Sequence, residues 1–298
     1  MDLNALRIFA VVADAGSFTL ASKRLKVPLS TVSRKVTILE AELGARLLER
    51  STRKLRLTQT GLGVYEAAKG LLDIGSSLEN VLNEQTGTPK GMLRLSAPPS
   101  IFATILGPLV ASFQSTYSQI QVELQITDRF MDPIYDRMDA ILRVGPLQNS
   151  TLIANKLLTY RHQLVASPAY LENSSPIGLP SDLSAHRLLT FLHDGQRSWT
   201  LMTGKKEQTI RVEPQLSVND YDGLAQMLVG GAGIGELPQI VQPSLLRTGK
   251  LCRVLPEWEM PEVQLYLLHS SQKQVPLQLR LFKEFAVSFV SRMAPVFQ

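Results

Sequence analysis

The sequence predicts a multidomain α+β protein: a small cationic module of three helices and a short hairpin, then one long helix, then a two-lobed α/β body. Three observations predict it. The excess positive charge lies in the first fifth of the chain, the apolar residues up to Leu43 recur at helical spacing in runs broken at Gly16 and Pro28, and beyond residue 92 short strands alternate with helical stretches.

The chain has 298 residues, which suggests at least two domains and ample surface for a buried core. With 44 % hydrophobic and 19 % charged residues it is neither disordered nor fibrous. One cysteine, Cys252, closes no intrachain disulfide and builds no cysteine-rich metal site, so a reducing cytoplasm is the expected compartment. Asp2, Arg7 and Asp14 occupy the place of a secretory apolar run, and no uncharged apolar stretch of about 18 residues suggests a membrane span.

Residues 1–60 hold 11 Lys and Arg against 5 Asp and Glu, a net +6, whereas the remaining 20 bases and 21 acids leave −1. A cationic module joined to a near-neutral body is the charge layout of a chain that addresses a polyanion. Leu3, Leu6, Phe9, Ala10 and Ala13 mark one face of a first helix closed by Gly16. Ser17 is the expected N-cap of a second helix through about Leu25, ended by the Lys26-Val27-Pro28-Leu29 connection. A third helix starts near Ser30, with Val32, Val36, Leu39 and Leu43 on a buried stripe and Gly44 as its stop.

Ser30, Thr31, Ser33, Arg34 and Lys35 crowd the first turns of that third helix. Short hydroxyls and cations at the start of the second helix of a tight helix-turn-helix are the chemistry that enters a major groove and meets base edges and phosphates. In 47–57, Lys54 and Arg56 alternate with Leu55 and Leu57, which predicts a short hairpin. Arg50, Arg53 and Lys54 on its tips would grip the phosphate backbone beside the groove, as the wing of a winged helix-turn-helix.

The pieces Leu6-Arg7-Ile8-Phe9, Gly16-Ser17-Phe18-Thr19, Val32-Ser33-Arg34, Leu39-Glu40, Leu43-Gly44-Ala45-Arg46-Leu47-Leu48-Glu49-Arg50 and Leu57-Thr58-Gln59-Thr60-Gly61 occur in order across about 60 residues. Together they resemble the N-terminal domain of LysR-type transcriptional regulators. The chain departs from that pattern at Pro28-Leu29-Ser30: Leu29 stands where most members carry a base-reading glutamine, so that contact does not carry over.

No proline interrupts 58–83, and Val64, Leu71 and Leu78 repeat every seven residues, with Ala68 and Leu82 near intermediate positions. A helix of about 26 residues spans about 39 Å, too long for the small module to cover. A core helix of a larger domain is one reading; pairing with a second copy, which would present two recognition helices to a palindromic site, is the reading the resemblance favours. Thr86-Gly87-Thr88-Pro89-Lys90-Gly91 is a breaker cluster. The expected organisation is a DNA-binding domain at 1–60, a linker and dimerisation helix at 61–85, a hinge at 86–91 and a regulatory domain at 92–298. Within the last, lobe 1 is about 92–161 with 263–298, and lobe 2 is about 162–262.

In the body, 92–97, 120–126 and 140–144 read as strands, with a helical stretch at 101–117 that Pro108 interrupts; alternation of this kind predicts a largely parallel sheet. Strands at 162–167 and 188–192 follow, then a hairpin at 199–212 turning at Gly204, helices near 220–229 and 238–246, a strand at 263–269 and a helix at 276–293. The resemblance implies a fold similar to periplasmic binding proteins, with a small-molecule effector in the interlobe cleft, no enzymatic activity and no cofactor. It implies double-stranded DNA, a homodimer pairing into tetramers and RNA polymerase as partners. By resemblance Ser100 is an effector contact, and Thr127, Arg143, Thr190 and Asn219 are carried over from less similar stretches.

Each of these has an ordinary reading as well: Ser100 and Asn219 as helix caps, Thr127 and Thr190 as strand-end residues, and Arg143 as a partner of Asp139. A cation in the cleft would favour a carboxylic acid as effector. Gly230-Gly231-Ala232-Gly233-Ile234-Gly235 follows a helix, where a nucleotide-binding fingerprint must open one, so it reads as a tight turn into the next strand. His162, His186, His193 and His269 lack metal-ligand spacing, and Cys252 beside Leu251 reads as core. Two further readings stay open on the residues alone: a nucleotide-using α/β enzyme with an accessory N-terminal domain, and an architectural DNA binder without effector.

Overall fold

The computed structural model describes residues 2–50, 55–68, 89–129, 131, 133, 136, 138–147, 151–192, 198–271 and 275–293. The chain divides into two compact units, Met1–Thr88 and Pro89–Gln298. The expected positions Arg53 and Lys54, the helix beyond residue 68 with Leu71, Leu78 and Leu82, the hinge residues 86–88 and His193 lie outside the described residues, as does the side chain of Arg50.

The first unit contains α1 (Leu3–Ala15), α2 (Phe18–Leu25), α3 (Leu29–Leu43), the hairpin β1 (Leu48–Arg50) and β2 (Leu55–Leu57), and α4 over 59–68. Asp2 caps α1 by accepting from the Asn4 N–H at 2.9 Å, and Ser17 caps α2. Gly16 and Gly44 end α1 and α3 at φ +59° and +64°, a conformation that costs glycine nothing. Lys26, not Pro28, ends α2: it adopts φ +53°, and the Val27 N–H donates to the Ser22 carbonyl. The proline instead stands just before α3, which begins at Leu29, one residue earlier than expected.

The core of this unit joins Ile8, Phe9, Ala10 and Val12 of α1, Ala21 of α2, Val32, Val36 and Leu39 of α3, and Leu47 and Leu48, with Val64, Tyr65 and Ala68 of α4 packed on it. Leu3 and Leu43, expected on the buried faces, are exposed, because each lies one step beyond where the neighbouring helices cover it. Lys35 ties α3 to the start of α1 by an ion pair with Asp2 at 2.6 Å. The Lys35 ammonium, followed by the Asn4 N–H, holds the Asp2 carboxyl below its ordinary range. This stabilisation is complete above the unfolded value and is lost as the pH falls through the lower folded one. The melting temperature of Asp2→Asn should therefore trail the wild type at neutral pH, with the gap closing below about pH 4; a gap that persists at pH 2 would show that the pair contributes nothing.

The second unit is built on β3 (Gly91–Ala97), β4 (Ile120–Ile126), β5 (Ala140–Val144), β6 (Ile153–Ala166), β7 (Leu188–Phe191), the hairpin β8 (Ser198–Thr203) and β9 (Lys206–Arg211), β10 (Leu216–Val218), β11 (Ile234–Pro238), β12 (Cys252–Arg253) and β13 (Glu262–His269). Its helices are α5 (Gly107–Thr116), α6 (Pro168–Glu172), α7 (Tyr221–Val229), α8 (Ser244–Arg247) and α9 (Leu277–Met293). Among the described residues one sheet runs in the order β10-β7-β11-β6-β13-β5-β3-β4, with β12 also on β6. It is mixed where a largely parallel sheet was expected: β3 pairs in parallel with β4 and β5, and β7 with β10 and β11, but β6 and β13 run antiparallel to their neighbours.

β6 is twice as long as expected and serves both halves, pairing with β13 over 153–161 and with β11 over 162–165. Arg161 pins the changeover, donating to the Met260 carbonyl at 2.8 Å and to Glu262 at 3.1 Å, while its own N–H donates to Gln239. The main core gathers β3, α5 and α9 around Phe113, whose ring lies 4.9 to 5.5 Å from Tyr117, Phe282 and Phe285. A second core beneath the β8–β9 hairpin holds Leu164, Trp199, Leu201 and Ile234.

Three local expectations fail here. Pro108 sits in the first turn of α5, where its missing N–H costs nothing; the change from 3₁₀ to π to α geometry happens earlier, over 99–106. Residues 238–246 do not form one helix: Pro238 ends β11, a turn follows, and only Ser244–Arg247 is helical. Asp220, not Asn219, caps α7, accepting from the Gly223 N–H at 2.8 Å. No helix of the described residues is long and apolar enough to cross a membrane.

Candidate nucleic-acid interface and effector cleft

The first turns of α3 carry Ser30 and Arg34 exposed and Thr31, Ser33 and Lys35 partly covered. Arg34 makes no ion pair among the described residues, and neither do exposed Lys23, Lys26, Arg46 and Arg56, whereas Arg24 pairs with Asp14 and Lys35 with Asp2. Lys35 is thus committed to the unit's own packing. Unlike α1 and α2, α3 has no side-chain cap: Pro28 precedes it and offers no side-chain acceptor. Its leading N–H groups and the positive end of its dipole face outward beside Ser30, an arrangement suited to a phosphate.

The wing is positioned by one segment of main chain. Glu40 of α3 accepts from the N–H groups of Leu47 and Leu48 at 2.7 and 3.1 Å. The Leu47 carbonyl accepts from the Thr58 N–H at 3.0 Å, and the Thr58 hydroxyl donates to the Arg46 carbonyl while accepting from the Gly61 N–H. A Cβ at Gly61 would lie 1.9 Å from the Leu47 oxygen, so only glycine admits α4 this close. Arg56, exposed on β2, stands opposite Glu49 of β1.

The five expected effector residues fall into two pairs and one outlier. Thr127, just after β4, and Arg143, near the end of β5, come together: the Arg143 guanidinium donates to the carbonyls of Thr127 and Arg129. Asp139, its expected partner, accepts the Arg94 N–H at 2.7 Å. Burial lowers the Arg143 pKa, and the charge of Asp128 opposes that shift. Since two main-chain carbonyls and Asp128 already address this cation, a carboxylic acid effector no longer follows from its presence.

Thr190 lies one residue before the end of β7, and Asn219 follows the last residue of the adjacent strand β10. The Thr190 hydroxyl is buried and donates to the Phe191 carbonyl at 2.6 Å, whereas Asn219 is exposed and caps nothing. Ser100 lies inside the 3₁₀ turn Pro99–Ile101 and is not its cap.

The more unusual grouping was not anticipated. Tyr221, the first residue of α7, stacks on Phe191 at 4.3 Å and meets the His162 ring edge-on at 5.6 Å; His162 in turn stacks on Tyr160 at 6.0 Å. Glu236 of β11, 4 % exposed, holds its carboxylate 3.8 Å from His162 Nδ1. Burial first, then the charges of Glu236 and Asp128, push the Tyr221 phenol well above its usual range, and its hydroxyl finds no hydrogen-bond partner among the described residues. The charge of Asp128, in the loop after β4, thus bears on both Arg143 and Tyr221. One signal for this cluster was present in the sequence: Glu236 is a charge inside an otherwise apolar strand. Tyr160 and His162 gave none, because their role depends on β6 crossing between two ladders.

Gly230, Gly231 and Gly233 link the end of α7 to β11, so the glycine-rich stretch lacks the strand-to-helix setting of a nucleotide loop. No group of three or more His, Cys, Asp or Glu among the described residues is placed to hold a metal ion.

Two family models match the chain: "Bacterial regulatory helix-turn-helix protein, lysR family" over residues 3–62, and "LysR substrate binding domain" over residues 86–290. An HTH-type transcriptional regulator of Xanthomonas campestris pv. campestris is 33 % identical over 96 % of this chain and 85 % of its own length. An HTH-type transcriptional repressor of Pseudomonas aeruginosa is 32 % identical over 94 % and 89 %. Among solved structures, the Vibrio cholerae virulence activator AphB superposes with a TM-score of 0.63 at 29 % identity, covering 97 % of this chain and 99 % of its own. CrgA of Neisseria meningitidis, described as a LysR-type transcriptional regulator, gives 0.63 at 28 % with the same coverage.

Proposed function

Because the chain belongs to the LysR family of bacterial transcriptional regulators, we propose that it binds specific duplex sites in the cytoplasm through α3 and the β1–β2 wing and that a small molecule in the cleft of its second unit controls this binding. The observation that carries the first part is the exposed, uncapped start of α3, where Ser30, Thr31 and Ser33 offer hydroxyls and Arg34 an uncommitted cation. Arg50, Arg53 and Lys54 complete the duplex contact from the wing. Two copies pair through the helix that begins at residue 59, and dimers pair into tetramers, so that two or more α3 helices meet one palindromic site. The effector lies between the Thr127 and Arg143 side, with Ser100, and the Tyr221, Thr190 and Asn219 side. Its occupancy shifts the balance between two arrangements of the lobes and thereby alters DNA bending and contact with RNA polymerase. No residue here is assigned a catalytic role.

The test is anisotropy titration of the full-length chain against the duplex upstream of its own gene over a series of salt concentrations. Affinity should fall steeply with salt, and Arg34→Ala should bind about tenfold more weakly with a salt slope smaller by about one. Equal, salt-independent retention by the wild type and the variant would overturn the reading.

A further inference from the structure

The geometry points to Leu29 as a base-reading residue whose ligand is the C5-methyl group of a thymine in the major groove, an inference that rests on the duplex-binding reading above. Leu29 opens α3. Its steps of three, four and three residues to Val32, Val36 and Leu39 put it on the helix's apolar stripe, yet those three are fully buried and Leu29 is 46 % exposed. The stripe thus runs one residue past the unit's own core and presents an isobutyl group outward.

The residues beside it decide what covers that group. Exposed Lys26 and Ser30 flank it in the chain, and exposed Arg34 follows one turn and a half later; neither cation has an ion-pair partner among the described residues. Cations desolvate poorly against an apolar protein face, so the partner that suits this end of α3 is a polyanion carrying a small apolar group. A duplex is that partner, and in its major groove the apolar feature on a base edge is the thymine methyl. Leucine has no donor or acceptor, so it reads a base by apolar contact or not at all. The uncapped N–H groups of the first turn, placed on a phosphate, would fix α3 in register for that contact.

The experiment uses the full-length chain. Duplexes are selected from a random library with the wild type, Leu29→Ala and Leu29→Gln, and each thymine of the wild-type site is then replaced in turn by deoxyuridine, which lacks only the methyl group. At one thymine per half-site the wild type should lose about fourfold in affinity, the value of one buried methyl, while Leu29→Ala should be indifferent at that position. Leu29→Gln should select adenine there, because an amide pairs with adenine N6 and N7. Duplex binding in which no deoxyuridine replacement separates the wild type from Leu29→Ala would overturn the inference and leave the duplex-binding reading standing. Failure of the wild type to retain any duplex would overturn both.

Discussion

Gly61→Ala should lower the melting midpoint of the N-terminal unit by roughly 15 °C. Glycine-to-alanine changes inside a helix ordinarily stabilise by about 1 kcal/mol, and the dihedrals of Gly61 need no glycine. The sign reverses because the new Cβ would sit 1.9 Å from the Leu47 oxygen and 2.8 Å from its carbon. Neither side can give way cheaply: the Leu47 carbonyl is held by Thr58, its N–H by Glu40, and the residue itself is fully buried. A clash with immobilised backbone costs about 3 kcal/mol or more, and each kcal/mol moves the midpoint of a unit this size by roughly 4 to 8 °C. Gly63 is the control, since a Cβ there meets nothing within 4 Å. Gly63→Ala should melt at or slightly above the wild type in the same calorimetric scan. A Gly61→Ala midpoint equal to that of the wild type would refute the close approach of α4 to Leu47.

Glu40→Ala should cost about 3 kcal/mol and detach the wing from α3. The carboxylate serves two main-chain donors, and a charged acceptor contributes about 1.5 to 3 kcal/mol to each such bond. Without it, the N–H groups of Leu47 and Leu48, on residues 0 % and 4 % exposed, lose their acceptor in the interior. Glu40→Gln keeps an oxygen in place and should lose about half as much. Urea unfolding followed by far-ultraviolet dichroism measures the stabilities. Duplex titration of the folded fraction should show Glu40→Ala binding more weakly than Glu40→Gln, because Leu47 and Leu48 at the start of the wing are no longer tied to α3. Two variants as stable as the wild type would mean that the charge and the acceptor are both dispensable.

The first unit was readable from its residues because its determinants are local. Gly16, Ser17 and Gly44 act within one turn of their own helices, and the three-and-four spacing of Val32, Val36 and Leu39 is a property of a single helix. Even there, Lys26 took a left-handed conformation that nothing in its side chain announces, and Lys35 pairs with an acid 33 positions away, a contact that no local spacing signals. The second unit was less legible because its decisive contacts are distant in sequence. That β6 continues back to Ile153 depends on β13, about a hundred residues later, lending it a ladder. Arg143 was expected to serve a ligand or Asp139; its guanidinium donates to two carbonyls of the loop after β4, contacts set by where that loop passes. Tyr160 and His162 share a face of β6 by their spacing of two, but Tyr221 joined them through tertiary packing alone.

β6 also limits how the halves of the second unit can move. A strand zipped to β13 along one stretch and to β11 along the next cannot slide in either direction without breaking one set of rungs, and Arg161 bolts the junction to both flanks. What stays inexpensive is torsion about the strand's own axis. Turning about that axis, each half acts as a lever whose displacement grows with distance from the strand, so the far rims travel most while the middle barely stirs.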